Sequence, residues 1–362
     1  VHAVLTHKDI PGSNGVGIIL KDEPVLAEKK IARIGDPLAL VAADTLEIEE
    51  KAIELIEVEL EELPIISNPY DAIKEDSVKI HGDTNILSQR YLIKGDVEEG
   101  FRNSEIVIER EYKTGHVAHM FIEPESGIAK YEDGVITMWV CTQNPHFDRG
   151  EVARVLNMPK SRVRTIQAVT GGGFGGKLDI STQCYISLLA YHTRRPVKIT
   201  YTSSESLTMC SKRHPTIIKY KTGATRDGIL MALEAEILQD TGAYASYGPG
   251  VITRSMVHAT GPYEVPNVKI KGTLVYTNNP MAGAMRGFGV PQVAVAHESQ
   301  MDILARAVGI SPFEIRKRNV LKPGSYTATM QKLEHSVGIE KTLDAAMKKA
   351  AKVFEGWEGL HC

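Results

Sequence analysis

Residues 56–60 read Ile-Glu-Val-Glu-Leu, apolar and acidic in strict alternation, which is the period of a half-buried strand. Ahead of them, Asp44 or Thr45 can cap a helix running to about Glu54, and 38–42 makes a short apolar strand. The polar stretch His81-Gly-Asp-Thr-Asn85 follows, so residues 1–85 are expected to form a small α+β unit. Beyond it, apolar residues fall into strand-length runs punctuated by glycine, at 106–110, 135–140, 164–169, 197–201, 217–221 and 233–238. Helical spacing interrupts these runs at 150–156, 181–193 and 297–308. Ser311-Pro-Phe-Glu314 has the form of a capping box with Pro at the first helical position. Ile339, Leu343, Ala346, Met347 and Ala350 share one face of an amphipathic helix, which places a C-terminal helix and tail over 336–362. There is no internal repeat. The expected fold class is α+β.

Composition narrows the function more than the fold. A chain of 362 residues has material for two or three domains. Its formal charge of −3 argues against a nucleic-acid surface. The Glu-rich stretch 47–62 reads as the solvated face of a helix and then a strand. No apolar stretch approaches membrane-spanning length, and no secretory signal is legible. Cys141, Cys184, Cys210 and Cys362 are scattered and form no Cys-x-x-Cys pair, which argues against a zinc or iron–sulfur site and suits a reducing cytoplasm. Val1 stands where an initiator Met would, as in a fragment or processed form.

The chemistry begins at 170–177, Thr-Gly-Gly-Gly-Phe-Gly-Gly-Lys. Such a run suits backbone that must approach a ligand closely and present its N–H groups. If it leads into the helix expected at 181–193, it makes an anion site, and a phosphate-bearing cofactor is the first inference. The same residues satisfy both G-x-G-x-x-G and G-x-x-x-x-G-K. The nucleotide-triphosphate loop then needs Ser or Thr, but position 178 is Leu. The dinucleotide fold needs an acidic residue about twenty positions on, where the chain reads Thr-Arg-Arg-Pro-Val-Lys-Ile-Thr-Tyr. Both patterns lose their second requirement.

Three further segments stand out: Thr142-Gln-Asn-Pro145, Arg254 in Ile-Thr-Arg-Ser-Met-Val-His, and 284–292, a second glycine loop holding a phenylalanine. Singly, each has a plain reading. Gln143 could satisfy a loop, Arg254 could belong to a surface ion pair, and Phe174 and Phe288 could plug glycine turns.

Together they resemble the molybdenum hydroxylase family of xanthine dehydrogenases and aldehyde oxidoreductases. Ser211-Lys-Arg-His-Pro215 and Thr277-Asn-Asn-Pro280 add to the match, as do spacings of 31 residues from Gln143 to Phe174 and 32 from Arg254 to Arg286. The resemblance implies most of an α/β hammerhead domain over 1–85 and the first of two molybdenum-cofactor domains over about 90–335. By position, it implies that Gln143 hydrogen-bonds an oxygen ligand of molybdenum. The N–H groups of the loop from Gly172 through Gly173 and Phe174 to Gly175, and those around Arg286, would hold the metal's oxygen and the pterin dithiolene. Arg254 would stabilise negative charge growing on the substrate, which explains a fixed cation there. Phe288 would stack on a flat substrate.

The departures from the family also carry information. The family's general base, a Glu in a Gly-Val-Gly-Glu stretch of the second cofactor domain, has no counterpart here, and Glu123 in Phe-Ile-Glu-Pro is a different landmark. The resemblance then implies a truncated chain or a second subunit supplying the base, as in the nicotinate dehydrogenase branch, whose wording this chain shares. Leu178 stands where purine oxidisers carry a substrate-binding Glu, and Gly287 where carbon monoxide dehydrogenases carry a copper-binding Cys. The implied protein is the molybdopterin-binding large subunit of a cytoplasmic hydroxylase acting on an N-heteroaromatic, nicotinate-like substrate. Its molybdopterin would be in the cytosine dinucleotide form, with [2Fe–2S] clusters and FAD on partner subunits. A purine dehydrogenase, an aldehyde oxidoreductase and a non-catalytic cofactor-binding or assembly component are the alternatives.

Overall fold

The structure, a computed structural model, describes residues 1–353. Four short strands open the chain: β1 (Ala3–Leu5), β2 (Gly15–Val16), β3 (Glu23–Pro24) and β4 (Leu40–Ala42). β1 pairs antiparallel with β4 and β2 with β3. Helix α1 (Leu46–Glu54) starts at Thr45, whose hydroxyl accepts the Ile48 N–H at 3.4 Å, and buries none of its residues. The strand expected at 56–60 does not form. That run finds no ladder partner among the described residues, so its alternation has no sheet to face, and Leu60 is 65% exposed.

After α2 (Pro69–Ala72), the stretch expected to be a polar boundary is pinned rather than loose. Asn85 is buried, accepts the Ile80 N–H at 2.8 Å and donates to the Val78 carbonyl at 2.7 Å. There follow β5 (Ile86–Lys94), α3 (Val97–Arg102) and β6 (Ile106–Thr114), then β7 (Ser126–Glu132), β8 (Val135–Val140), α4 (Pro145–Val155) and β9 (Val163–Gln167). Next come α5 (Gln183–Thr193), β10 (Val197–Thr200), α6 (Ser203–Met209), β11 (Thr216–Ala224), β12 (Leu230–Gly242) and α7 (Gly248–Val257). β13 (Asn267–Tyr276), α8 (Val290–Val308), α9 (Pro312–Asn319) and α10 (Ile339–Val353) complete the described chain, and the tail with Cys362 lies outside it.

Two sheets organise these elements. One has the order β10-β7-β8-β9, the other β5-β13-β12-β11-β6, and each contains a single parallel pair, β8 with β9 and β12 with β13. In β8, Ile136, Met138 and Val140 are fully buried while the residues between them are not, the period-two signature that makes this strand legible. Its core includes Ile186, Leu188 and Leu189 of α5, and also Leu5, Val16 and Leu26 from the N-terminal segment. The other core joins the five-stranded sheet to α7, α8 and α9.

Thr277-Asn-Asn-Pro280 has a structural use. Thr277 and Asn279 donate to the two oxygens of buried Asp240, at 2.7 and 2.6 Å. Asn278 accepts from the Ile66 N–H and donates to the Ala32 carbonyl, tying the N-terminal segment to the sheet. The capping box at Ser311 is only half made. Ser311 accepts the Glu314 N–H at 3.1 Å, but the Glu314 carboxylate turns to Arg318 at 2.8 Å, a competing ion pair one helical turn on. Among the described residues no helix is long and apolar enough to cross a membrane.

Candidate functional site

The two glycine loops meet. The Arg286 N–H donates to the Phe174 carbonyl at 2.9 Å, and a Cβ on Gly175 would lie 2.7 Å from the Ala284 carbonyl oxygen. Both loops use a similar device, a phenylalanine in left-handed backbone (φ 52° at Phe174, 49° at Phe288) followed by a glycine of positive φ, Gly175 or Gly289. Holding a bulky residue there is uncommon and stores strain that the surroundings must offset. The result is a 43% exposed Phe174 ring, with the Arg286 guanidinium 5.3 Å from its centre.

Gln143 lies over the first loop. Its Oε1 accepts the N–H groups of Gly175 at 3.0 Å and Lys177 at 3.2 Å, and its own N–H donates to the Lys177 carbonyl at 2.9 Å. With Oε1 occupied, the exposed side chain keeps its Nε2 donors for something outside the protein. The N–H groups of Gly172, Gly173 and Phe174 also have no acceptor among the described residues. Arg286 differs from expectation: its N–H is spent on joining the loops, which leaves its exposed guanidinium as the part available to a ligand.

The loop is fixed from beneath. The Lys177 side chain is 1% exposed, and its ammonium donates to Glu123 Oε2 at 2.7 Å and to the Glu123 carbonyl at 2.8 Å. The Gly171 N–H donates to the same Oε2 at 2.7 Å. Partial burial pushes the Glu123 carboxyl up, but these donors outweigh it and hold it below its ordinary value. His119 bridges the loops, its Nε2 2.8 Å from the Ala284 carbonyl and its ring against Gly176. Burial lowers its pKa, so Nε2–H donates from a neutral ring. Arg213 donates to the Arg286 carbonyl at 2.9 Å, and its guanidinium, already desolvated, is lowered further by the Arg286 charge.

The nucleotide patterns fail here for physical reasons. Lys177 is buried against Glu123 and cannot reach a phosphate. The helix expected from 181 begins at Gln183, after 178–182, so the loop does not present a helix N-terminus. Half-buried Leu178 lies in that connection. The second loop does open a helix directly, with Gly289 as the cap of α8, which starts well before the 297 expected.

Phe288 packs against α7. A Cβ on Gly250 would lie 3.1 Å from its ring, and Tyr247 meets it edge-on at 5.7 Å. Arg254, four residues beyond Gly250, shares that helical face, is exposed, and has no ion-pair partner among the described residues.

Free N–H donors, an outward amide and adjacent guanidiniums form a site made of donors and positive charge. That chemistry fits an anionic, acceptor-rich group such as the dithiolene and oxygen set of a molybdenum cofactor. Comparison with known proteins agrees: the description "Molybdopterin cofactor-binding domain" matches residues 80–320, and "Aldehyde oxidase and xanthine dehydrogenase, a/b hammerhead domain" matches residues 1–64. The chain belongs to the xanthine dehydrogenase and aldehyde oxidase family.

Within that family it is similar to the nicotinate dehydrogenase large molybdopterin subunit of Eubacterium barkeri, 53% identical over 99% of this chain and 84% of that subunit. It is 42% identical to a probable xanthine dehydrogenase subunit of Bacillus subtilis, over 96% of this chain and 47% of that protein. The aldehyde oxidoreductase of Desulfovibrio gigas superposes with a TM-score of 0.94 at 30% identity, covering 98% of this chain and 40% of that one. Quinoline 2-oxidoreductase of Pseudomonas putida gives 0.90 at 26%, covering 97% and 47%. The chain thus spans most of the first relative and less than half of the other three. As a member of this family of molybdenum-dependent oxidoreductases, it carries a molybdopterin-binding domain.

Proposed function

We propose that this chain is the molybdopterin-binding large subunit of a hydroxylase that inserts water-derived oxygen at a ring carbon of a nicotinate-like N-heteroaromatic acid. The observation that supports the reading is the meeting of Gln143 with both glycine loops, together with the packing of Phe288 on Gly250 of α7, four residues before Arg254. When bound, the molybdenum cofactor supplies a two-electron oxidant. The chain's own groups hold and orient. Gln143 Nε2 and the N–H groups of Gly172, Gly173 and Phe174 donate to the cofactor's acceptors, and these donors cannot titrate. Gly175 keeps the loops in contact, and the Arg286 guanidinium adds positive charge.

Arg254 offers a fixed cation to a carboxylate or to charge growing on a ring nitrogen, where a preorganised charge lowers the barrier. Phe288 offers a flat face, worth roughly 0.5–1.5 kcal/mol beyond area burial. Leu178 brings an apolar contact and no carboxylate for a purine's N–H groups, which then lose their partner.

The same reading assigns 1–85 to the hammerhead-like domain, 90–335 to the first cofactor domain and 336–362 to a terminal helix and tail. A partner subunit carries the second molybdopterin domain and the catalytic Glu, and others carry [2Fe–2S] clusters and FAD. The pterin is the cytosine dinucleotide form. The free thiols of Cys141, Cys184 and Cys210 support a cytoplasmic setting. A competition assay on the purified complex tests the substrate class. Nicotinate-like acids should exceed purines and simple aldehydes in kcat/KM; an uncharged aldehyde or a purine as best substrate overturns the assignment.

A further inference from the structure

We propose that Lys177 and Glu123 form a tether that positions the cofactor-facing loop, an inference that rests on the cofactor reading above. The loop is closed at both ends by one carboxylate. Glu123 Oε2 accepts the Gly171 N–H at 2.7 Å where the loop begins and the Lys177 ammonium at 2.7 Å where it ends. A second Lys177 bond, to the Glu123 carbonyl at 2.8 Å, fixes the lysine against the 120–124 backbone, and its ammonium lies 4.6 Å from the centre of the Phe121 ring. Gly172, Gly173 and Phe174 sit between these two anchors, and they are the residues whose N–H groups have no acceptor among the described residues.

The arrangement also reaches Gln143. The Lys177 N–H donates to Gln143 Oε1 and the Lys177 carbonyl accepts the Gln143 N–H, so fixing Lys177 fixes the glutamine that lies over the loop. Glycines lose more entropy on ordering than other residues, so five of them within eight positions need such an external restraint to keep their N–H groups aligned. Lys177 is therefore a positioning residue. Its side chain is buried, and its charge is used inside the protein, on Glu123.

The test compares the purified complex with Lys177→Met and with the double variant Lys177→Met, Glu123→Leu. Three quantities are read: Tm, hydrogen exchange of the peptide covering 168–178, and molybdenum bound per chain. Lys177→Met should lower Tm, because it leaves the Glu123 carboxylate without its cation. The double variant leaves no unpaired charge, so Tm should recover. Exchange in the loop should nevertheless stay about tenfold or more faster than in the unaltered complex, and molybdenum content should stay low. If the double variant recovers Tm, loop protection and molybdenum together, the pair is merely a buried charge pair and the tether is wrong. Should the single variant fail to fold, the double variant alone decides. If the unaltered complex holds no molybdenum, the cofactor reading fails, while the exchange comparison still decides the tether.

Discussion

A single methyl group should displace Gln143. A Cβ on Gly173 would lie 2.4 Å from Gln143 Oε1, 2.7 Å from its Cδ and 3.0 Å from its Cγ. The backbone of Gly173 itself is not in the left-handed region, so Gly173→Ala acts through this contact rather than through strain. The glutamine is exposed and flexible, and it will swing away, breaking its bonds to the Gly175 and Lys177 N–H groups. Each is worth about 0.5–1.5 kcal/mol net, so about 1–3 kcal/mol is lost locally. Water can replace the lost acceptor, which limits the fall in Tm to a few degrees. Function should suffer more, because the Nε2 donors leave with the side chain. Losing one preorganised donor commonly lowers turnover by about 10²–10³. The assay measures Tm, molybdenum per chain and turnover of the complex, with Gly173→Ala, Gln143→Ala as the companion variant. The companion loses the same two bonds without the clash, so its Tm should be close to that of Gly173→Ala, and it should stay poor in turnover. If Gly173→Ala alone keeps molybdenum and turnover at the unaltered level, Gln143 does not act where the loop holds it.

Arg254→Met should cut kcat/KM for a nicotinate-like acid by more than about tenfold with Tm unchanged, because the exposed cation has no ion-pair partner among the described residues; circular dichroism and steady-state rates check both halves. On the proposed function, in which a partner subunit carries the catalytic Glu, residues 1–362 expressed alone should not turn over, since lacking a general base typically forfeits about 10²–10⁴-fold; robust activity from this polypeptide alone would locate the base within it. Asp148 on α4 is fully buried, and burial pushes its carboxyl up from 3.8 to about 7 against the smaller opposing pull of Thr142 and Gln183. The folded protein therefore holds a proton that the unfolded chain releases above about pH 4, and this group's contribution to stability falls as pH rises from about 4 to about 7. Asp148→Asn should gain Tm relative to the unaltered protein across that window, and a difference that is constant with pH would contradict the burial argument.

What could be read from the sequence, and what could not, follows from where the information lies. β8 is legible because a strand between two neighbours buries every second side chain, and Ile136, Met138 and Val140 write that period directly. The run at 56–60 has the same period but no ladder partner, and pattern alone cannot report a missing partner. Helix α7, which carries Arg254, opens Gly-Pro-Gly, and no helix is expected there from the sequence; its stability comes from packing against β13 and Phe288 rather than from propensity. The loops are legible because five glycines and a phenylalanine have few other uses. Lys177 is visible only as part of a nucleotide pattern, and its partner Glu123 lies 54 residues away. His119 carries no local signal, and Arg213 lies in a recognisable motif that does not tell its role, because both roles depend on tertiary proximity to Ala284 and Arg286.

The proposed function depends on the donor-rich surface holding a molybdenum cofactor. Native mass spectrometry of the purified complex, with metal analysis of the same sample, decides that point. One molybdenum and one molybdopterin are expected for each copy of this chain, lost together when Gln143 is displaced by Gly173→Ala. A complex that holds a nucleoside triphosphate or a nicotinamide dinucleotide at this chain and no molybdenum would refute it.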